Sequence, residues 1–132
     1  MSYYKTEQKE MLYTNLKHIE SEDEHRQIIQ QNEQVVVVCG RMDAASVSVY
    51  RVAEMLMAAY PGVKFCDMEF DNPQSQFLCD LFHEPEKQNL PLTIYYQDGC
   101  PVRFISGMQT TEQVAGNLEK MLKEARLTVE TI

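Results

Sequence analysis

The chain has 132 residues, 44% hydrophobic and 24% charged, a composition that supports one globular domain with a core of its own. Acidic residues outnumber basic ones 20 to 12, and the net charge of −8 argues against a nucleic-acid partner or an anionic membrane. No run reaches the ~20 apolar residues of a membrane span, and MSYYKTEQKEM has no apolar leader, so the sequence reads as cytoplasmic.

Residues 1–15 read as an N-terminal extension. Within it KTEQKEMLYT is mixed, either a short helix or a frayed tail, and its anchors Tyr3, Tyr4 and Leu12 suit packing across the domain or self-association as a homodimer. Residues 16–126 read as the domain and 127–132 as a C-terminal tail. Leu16 to Glu20 alternates weakly as a strand. Ser21 and Glu24 form an S-x-x-E capping box ahead of a short helix. Gln34 to Cys39 is a β-branched run, the pattern of a strand buried on both faces. Val49, Val52, Ala53, Leu56, Met57 and Tyr60 mark one helix face, and Pro61-Gly62 stops that helix.

Val63 to Phe70 alternates as a strand, and Asp71-Asn72-Pro73 turns into a helix over Gln74–His83 that ends near Pro85. Thr93–Gln97, the turn Asp98-Gly99 and Val102–Ser106 form a hairpin. A last amphipathic helix carries Val114, Leu118, Met121, Leu122 and Ala125, with Thr110 and Gln113 as its capping box. The order β-α-β-α-β-α-β-β-α predicts an α/β fold: parallel strands joined by right-handed crossovers, an antiparallel hairpin at one edge, and helices on both faces.

Cys39, Cys66, Cys79 and Cys100 form no CxxC and no close metal-ligand pair, so reduced thiols are expected. Cys79 and His83 share a helix face but make no site by themselves, and no metal or cofactor is expected. A Cys39–Cys66 disulfide would have to sit inside the sheet.

The order and several local motifs resemble the thioredoxin-like family over Leu16 to about Leu122. LKHIESEDEHRQII is similar to its first strand and helix, VKFCDMEFDNP to its strand ending in an acidic residue and Asn-Pro, and LPLTIYYQDG to its cis-proline stretch. The resemblance implies a three-layer α/β/α fold with about five strands in a mixed sheet and about four helices. It puts Pro91 at the cis position and Gly107 beside the active site. The segment from Pro73 to Pro91 is about five residues longer than in a small thioredoxin, which implies a longer third helix.

Counted back from Tyr60-Pro61-Gly62, the family's W-C-G-P-C falls on Met42, Asp43, Ala44, Ala45 and Ser46, and its buried strand aspartate falls on Val37. Dithiol exchange needs a low-pKa thiolate and a resolving thiol, so that activity is not expected from a degenerate DAAS. Asp43 is suited instead to capping the helix.

What the resemblance leaves is a groove beside the cis-proline, lined by Met42, Asp43, Leu90, Pro91 and Gly107, that takes an extended peptide. It implies a redox-inactive adaptor, assembly factor or chaperone whose partner is a protein or extended peptide. Pro91 can equally persist because the fold is built around it. The enzyme alternative is a monothiol oxidoreductase or thiol-based redox sensor using Cys39 or Cys100. Cys39 also reads as a small buried hydrophobe, and Cys100, at the hairpin tip, as exposed. A glutathione-transferase-like role through Ser46 or Asp43 lacks the helical second domain such enzymes carry.

Overall fold

The computed structural model of the chain describes residues 12–82 and 90–131. Its elements are β1 (Lys17–Ile19), α1 (Glu22–Gln31), β2 (Gln34–Gly40), α2 (Ala44–Ala59), β3 (Val63–Glu69), a 3₁₀ turn (Pro73–Ser75), α3 (Gln76–Phe82), β4 (Leu92–Gln97), β5 (Cys100–Ser106) and α4 (Thr111–Thr131). The sheet order is β1-β3-β2-β4-β5. β1, β2 and β3 run parallel, and β4 and β5 add antiparallel at the β2 edge.

Alternation along β2 divides the core. Val36 and Val38 face α2 and α4, packing with Tyr50, Leu56, Leu118 and Met121. Val35, Val37 and Cys39 face α1 and α3, packing with Ile28, Met68, Leu78 and Ile94. A strand with helices on both sides needs apolar residues at every position, as the valine run supplies. Among the described residues the result is a three-layer α/β/α fold, a mixed five-stranded sheet with four helices.

The sheet edges follow their own logic. β1 has three residues, and β5 is largely exposed and carries Pro101, which blunts that edge. Asp98 (φ 54°) and Gly99 (φ 82°) close the hairpin in two residues. Pairing therefore resumes at Cys100, two residues before the expected Val102, and a register shift opposite Tyr95 and Tyr96 absorbs the extra residue. β2 likewise runs one residue past Cys39.

The segment after β3 begins as a 3₁₀ turn capped by Asn72 and becomes α-helical only at Gln76. His83 and Pro85, and with them the expected helix stop, lie outside the described residues. So do Tyr3 and Tyr4. Leu12 is buried in the core beside Leu16, so packing extends into the N-terminal extension. Among the described residues no helix is long and apolar enough to cross a membrane.

Both capping boxes form in part or in full. Ser21 Oγ accepts from the Glu24 amide, and Glu24 reaches back to the Glu20 amide rather than to that of Ser21. Thr110 and Gln113 bond reciprocally.

Candidate functional site

Parallel register brings the C-terminal ends of β2 and β3 together, with Gly40 opposite Glu69. The chain leaves β2 through Arg41 and Met42 and enters α2 at Asp43. Asp43 has an extended backbone, and its Oδ1 accepts from the Ser46 amide at 2.8 Å. The carboxylate is thereby used as an N-cap, at the end of the helix that favours negative charge.

Ser46 is fully buried, and its Oγ accepts from the Arg41 amide at 3.2 Å. Among the described residues no imidazole hydrogen-bonds it: His18 pairs with Asp67 and His25 with Tyr96.

The loop is tied to the next one by a fork. Arg41 donates from Nε and an Nη to Asp71 at 2.6 and 2.7 Å, and its guanidinium lies 5.4 Å from the centre of the Phe70 ring. By sequence Asp71 is only a turn residue, and Arg41 is unmarked. They are 30 positions apart, and only the β2–β3 pairing makes them neighbours.

The Leu90–Pro91 peptide is cis. The Gly107 amide donates to the Pro91 carbonyl at 2.9 Å, and Gly107 has φ 93°, which a side chain would strain. Pro91 and Gly107 are thus joined directly.

Leu90 departs from a simple lining role: its side chain is 2% exposed and belongs to the core on the α1/α3 side. Met42 is 40% exposed, and Met108, next to Gly107, is 64% exposed. Met108 was missed, although its adjacency to Gly107 was visible in the chain.

The thiols lie elsewhere. Cys39 is wholly buried, and burial raises its pKa. Cys66 is pushed up to about 12 by burial. Their strands are adjacent, with Cys39 opposite Met68 and Cys66 opposite Val37. Both cysteines are free. Cys100 is exposed but pairs with Gln97, at the end of β4 opposite Leu92, roughly 17 Å away at the strand rise.

A buried carboxylate is present one strand over from Val37. Asp67 is 1% exposed and receives the Thr14 hydroxyl and His18 Nδ1, the latter at 2.8 Å. Burial outweighs both partners and holds its pKa above the ordinary 3.8. Its signal was an acidic residue on the inward phase of VKFCDMEF. Among the described residues no three His, Cys, Asp or Glu side chains are grouped to hold a metal ion.

No protein-family model and no curated protein matches the sequence. Solved structures do. A thioredoxin from Trypanosoma brucei brucei superposes with a TM-score of 0.69 at 18% identity, over 85% of this chain and 95% of that one. A Plasmodium falciparum thioredoxin gives 0.67 at 20% identity, over 80% and 98%. Oxidised mitochondrial thioredoxin 3 from Saccharomyces cerevisiae gives 0.64 at 21% identity, over 83% and 94%. The chain has a thioredoxin-like fold.

Proposed function

We propose that the chain holds an extended segment of another protein in the groove between Met42, Pro91 and Gly107, as an adaptor, assembly factor or chaperone without dithiol exchange. In this reading Asp43 and Ser46 stand where thioredoxins carry their two cysteines. The observation that supports it most is the use made of those two side chains. Asp43 is consumed as a helix cap and the Ser46 hydroxyl is buried, so neither presents a nucleophile. The exposed methionines beside the groove are adaptable contact residues.

A second reading is favoured by one observation, the exposure of Cys100. A monothiol reaction or thiol sensor there would act away from the groove, at the far end of β4.

Two measurements test the proposal. Insulin reduction by dithiothreitol is expected to run at the buffer rate with the chain present; acceleration on the scale of a thioredoxin overturns the redox-inactive reading. Proteins captured from the native cell by the full chain are expected to be lost with Met42→Asp, which charges the groove lip at an exposed position. Equal capture by both overturns the groove.

A further inference from the structure

We infer that a cleft between α1, α3 and the β4–β5 hairpin binds a small neutral aromatic molecule, a single substituted ring, against His25, Phe77 and Tyr96. The cleft lies apart from the groove at Pro91. Tyr96 is four residues along β4 from Leu92, roughly 13 Å at the strand rise.

One wall comes from α1, where Glu22, His25, Arg26 and Ile29 recur at helical spacing and share a face. Phe77 comes from α3 and Tyr96 from the end of β4, and Gly99 and Pro101 close the cleft from the hairpin. His25 and Tyr96 are its buried floor, with the imidazole Nε2 2.8 Å from the Tyr96 hydroxyl. The His25 ring lies 4.8 Å from Phe77 and 5.3 Å from Tyr96 between ring centres, edge-on at 65° and 71°. Phe77 and Ile29 are only half-buried, so part of the apolar wall still faces water.

Size, charge and polarity set the ligand class. The cleft measures about 220 Å³. Apolar cavities of about 150 Å³ take up benzene, so a ring with one small substituent fits. Both aromatic neighbours already meet the imidazole edge to face, and a ligand ring extends that packing. Burial, aided by the Arg26 charge, lowers the His25 pKa to about 4, so the imidazole is neutral at pH 7. At the rim Arg26 donates to Asp23 at 2.7 Å and lies 3.9 Å from Glu22, so the cation there is already paired and does not call for an anion. Tyr96 engages Nε2, and among the described residues no hydrogen bond is made by Nδ1. The floor therefore keeps one polar atom for a ligand hydroxyl within an otherwise aromatic lining.

Phenol is the probe, one neutral ring with one hydroxyl. Titrated into the full chain and followed by NMR, it is expected to give saturable shifts of the His25 and Phe77 ring signals, with the Met42 and Met108 methyl signals unmoved. No saturable shift at His25 and Phe77 overturns the site. Benzoate adds a charge to the same ring, and cyclohexanol keeps the size without the aromaticity. Both are expected to bind more weakly than phenol, and either one binding as tightly overturns the assignment to a neutral aromatic ring.

Two variants place the binding at these side chains. Phe77→Leu keeps apolar bulk and removes the ring, and is expected to weaken phenol about fivefold, the loss of one edge-to-face contact. Ile29→Trp, at a half-buried wall, is expected to fill the cleft and abolish the His25 shift. Phenol binding unchanged in either folded variant overturns the site. A tyrosine-containing peptide that binds at the same residues about tenfold tighter than phenol overturns the small-molecule assignment and gives the cleft to a partner's side chain.

Discussion

The position that a Cβ would take on Gly40 lies 2.6 Å from the Oγ of Ser46. The same point is 2.9 Å from the Tyr50 hydroxyl and 3.0 Å from the Pro91 Cβ. Gly40 is the place where the end of β2, the first turns of α2 and the cis-proline segment meet, and a side chain there has no room. Gly40→Ala is expected to cost about 1–3 kcal/mol through overpacking, read by chemical denaturation. Ser46→Ala in the same background should recover part of that loss; purely additive effects would show that the crowding lies elsewhere. The Tyr50 hydroxyl is buried without a hydrogen-bond partner among the described residues. Tyr50→Phe is therefore expected to leave stability unchanged or raise it by about 1 kcal/mol.

Asp43 makes a separate prediction at the helix start. Asp43→Ala removes the bond from the Ser46 amide and should cost about 0.5–2 kcal/mol, whereas Asp43→Asn should cost a few tenths. Asp43→Cys puts a thiol where that amide and the helix dipole favour negative charge. Its alkylation rate against pH should report a pKa below the ordinary ~8.5, and a value at or above it would deny the helix start any thiolate-stabilising field.

Thiol accessibility yields a simple ranking. Cys39 and Cys66 are buried with raised pKa values, and Cys100 is exposed. Limited iodoacetamide labelling followed by mass spectrometry should modify Cys100 first and leave Cys39 and Cys66 untouched until the chain unfolds. Early modification of Cys39 would restore it as a reactive thiol.

The pH dependence of stability carries two opposed contributions. His25 is held neutral among Tyr96, 2.8 Å from its Nε2, and Phe77, and burial, aided by the Arg26 charge, lowers its pKa from 6.5 to about 4. Between those values the unfolded chain takes up a proton that the folded chain refuses. Stability from this group is complete above pH 6.5 and is lost as pH falls toward 4, by at most about 3 kcal/mol. Asp67 runs the other way. Its folded pKa lies above 3.8, so its contribution is present below that value and is lost as pH rises through the raised folded pKa. Urea midpoints against pH should flatten on the acidic side for His25→Gln. For Asp67→Asn they should lose the component that falls with rising pH.

By itself the sequence determined the order of the elements and several of their ends, because those depend on neighbours in the chain. The valine run of β2 announced burial on both faces, Pro61-Gly62 stopped α2, and Thr110 with Gln113 capped α4 as a reciprocal pair. Asp43 as a cap was legible for the same reason: donor and acceptor are three residues apart. Tertiary structure alone decided which loops touch. Arg41 finds Asp71 across 30 positions, Tyr13 finds Met42 across 29, and His18 finds Asp67 across 49. It also turned the Leu90 side chain into the core while leaving Met108 exposed. These pairings follow from parallel register and crossover packing, which set distances through space that no local period or spacing records.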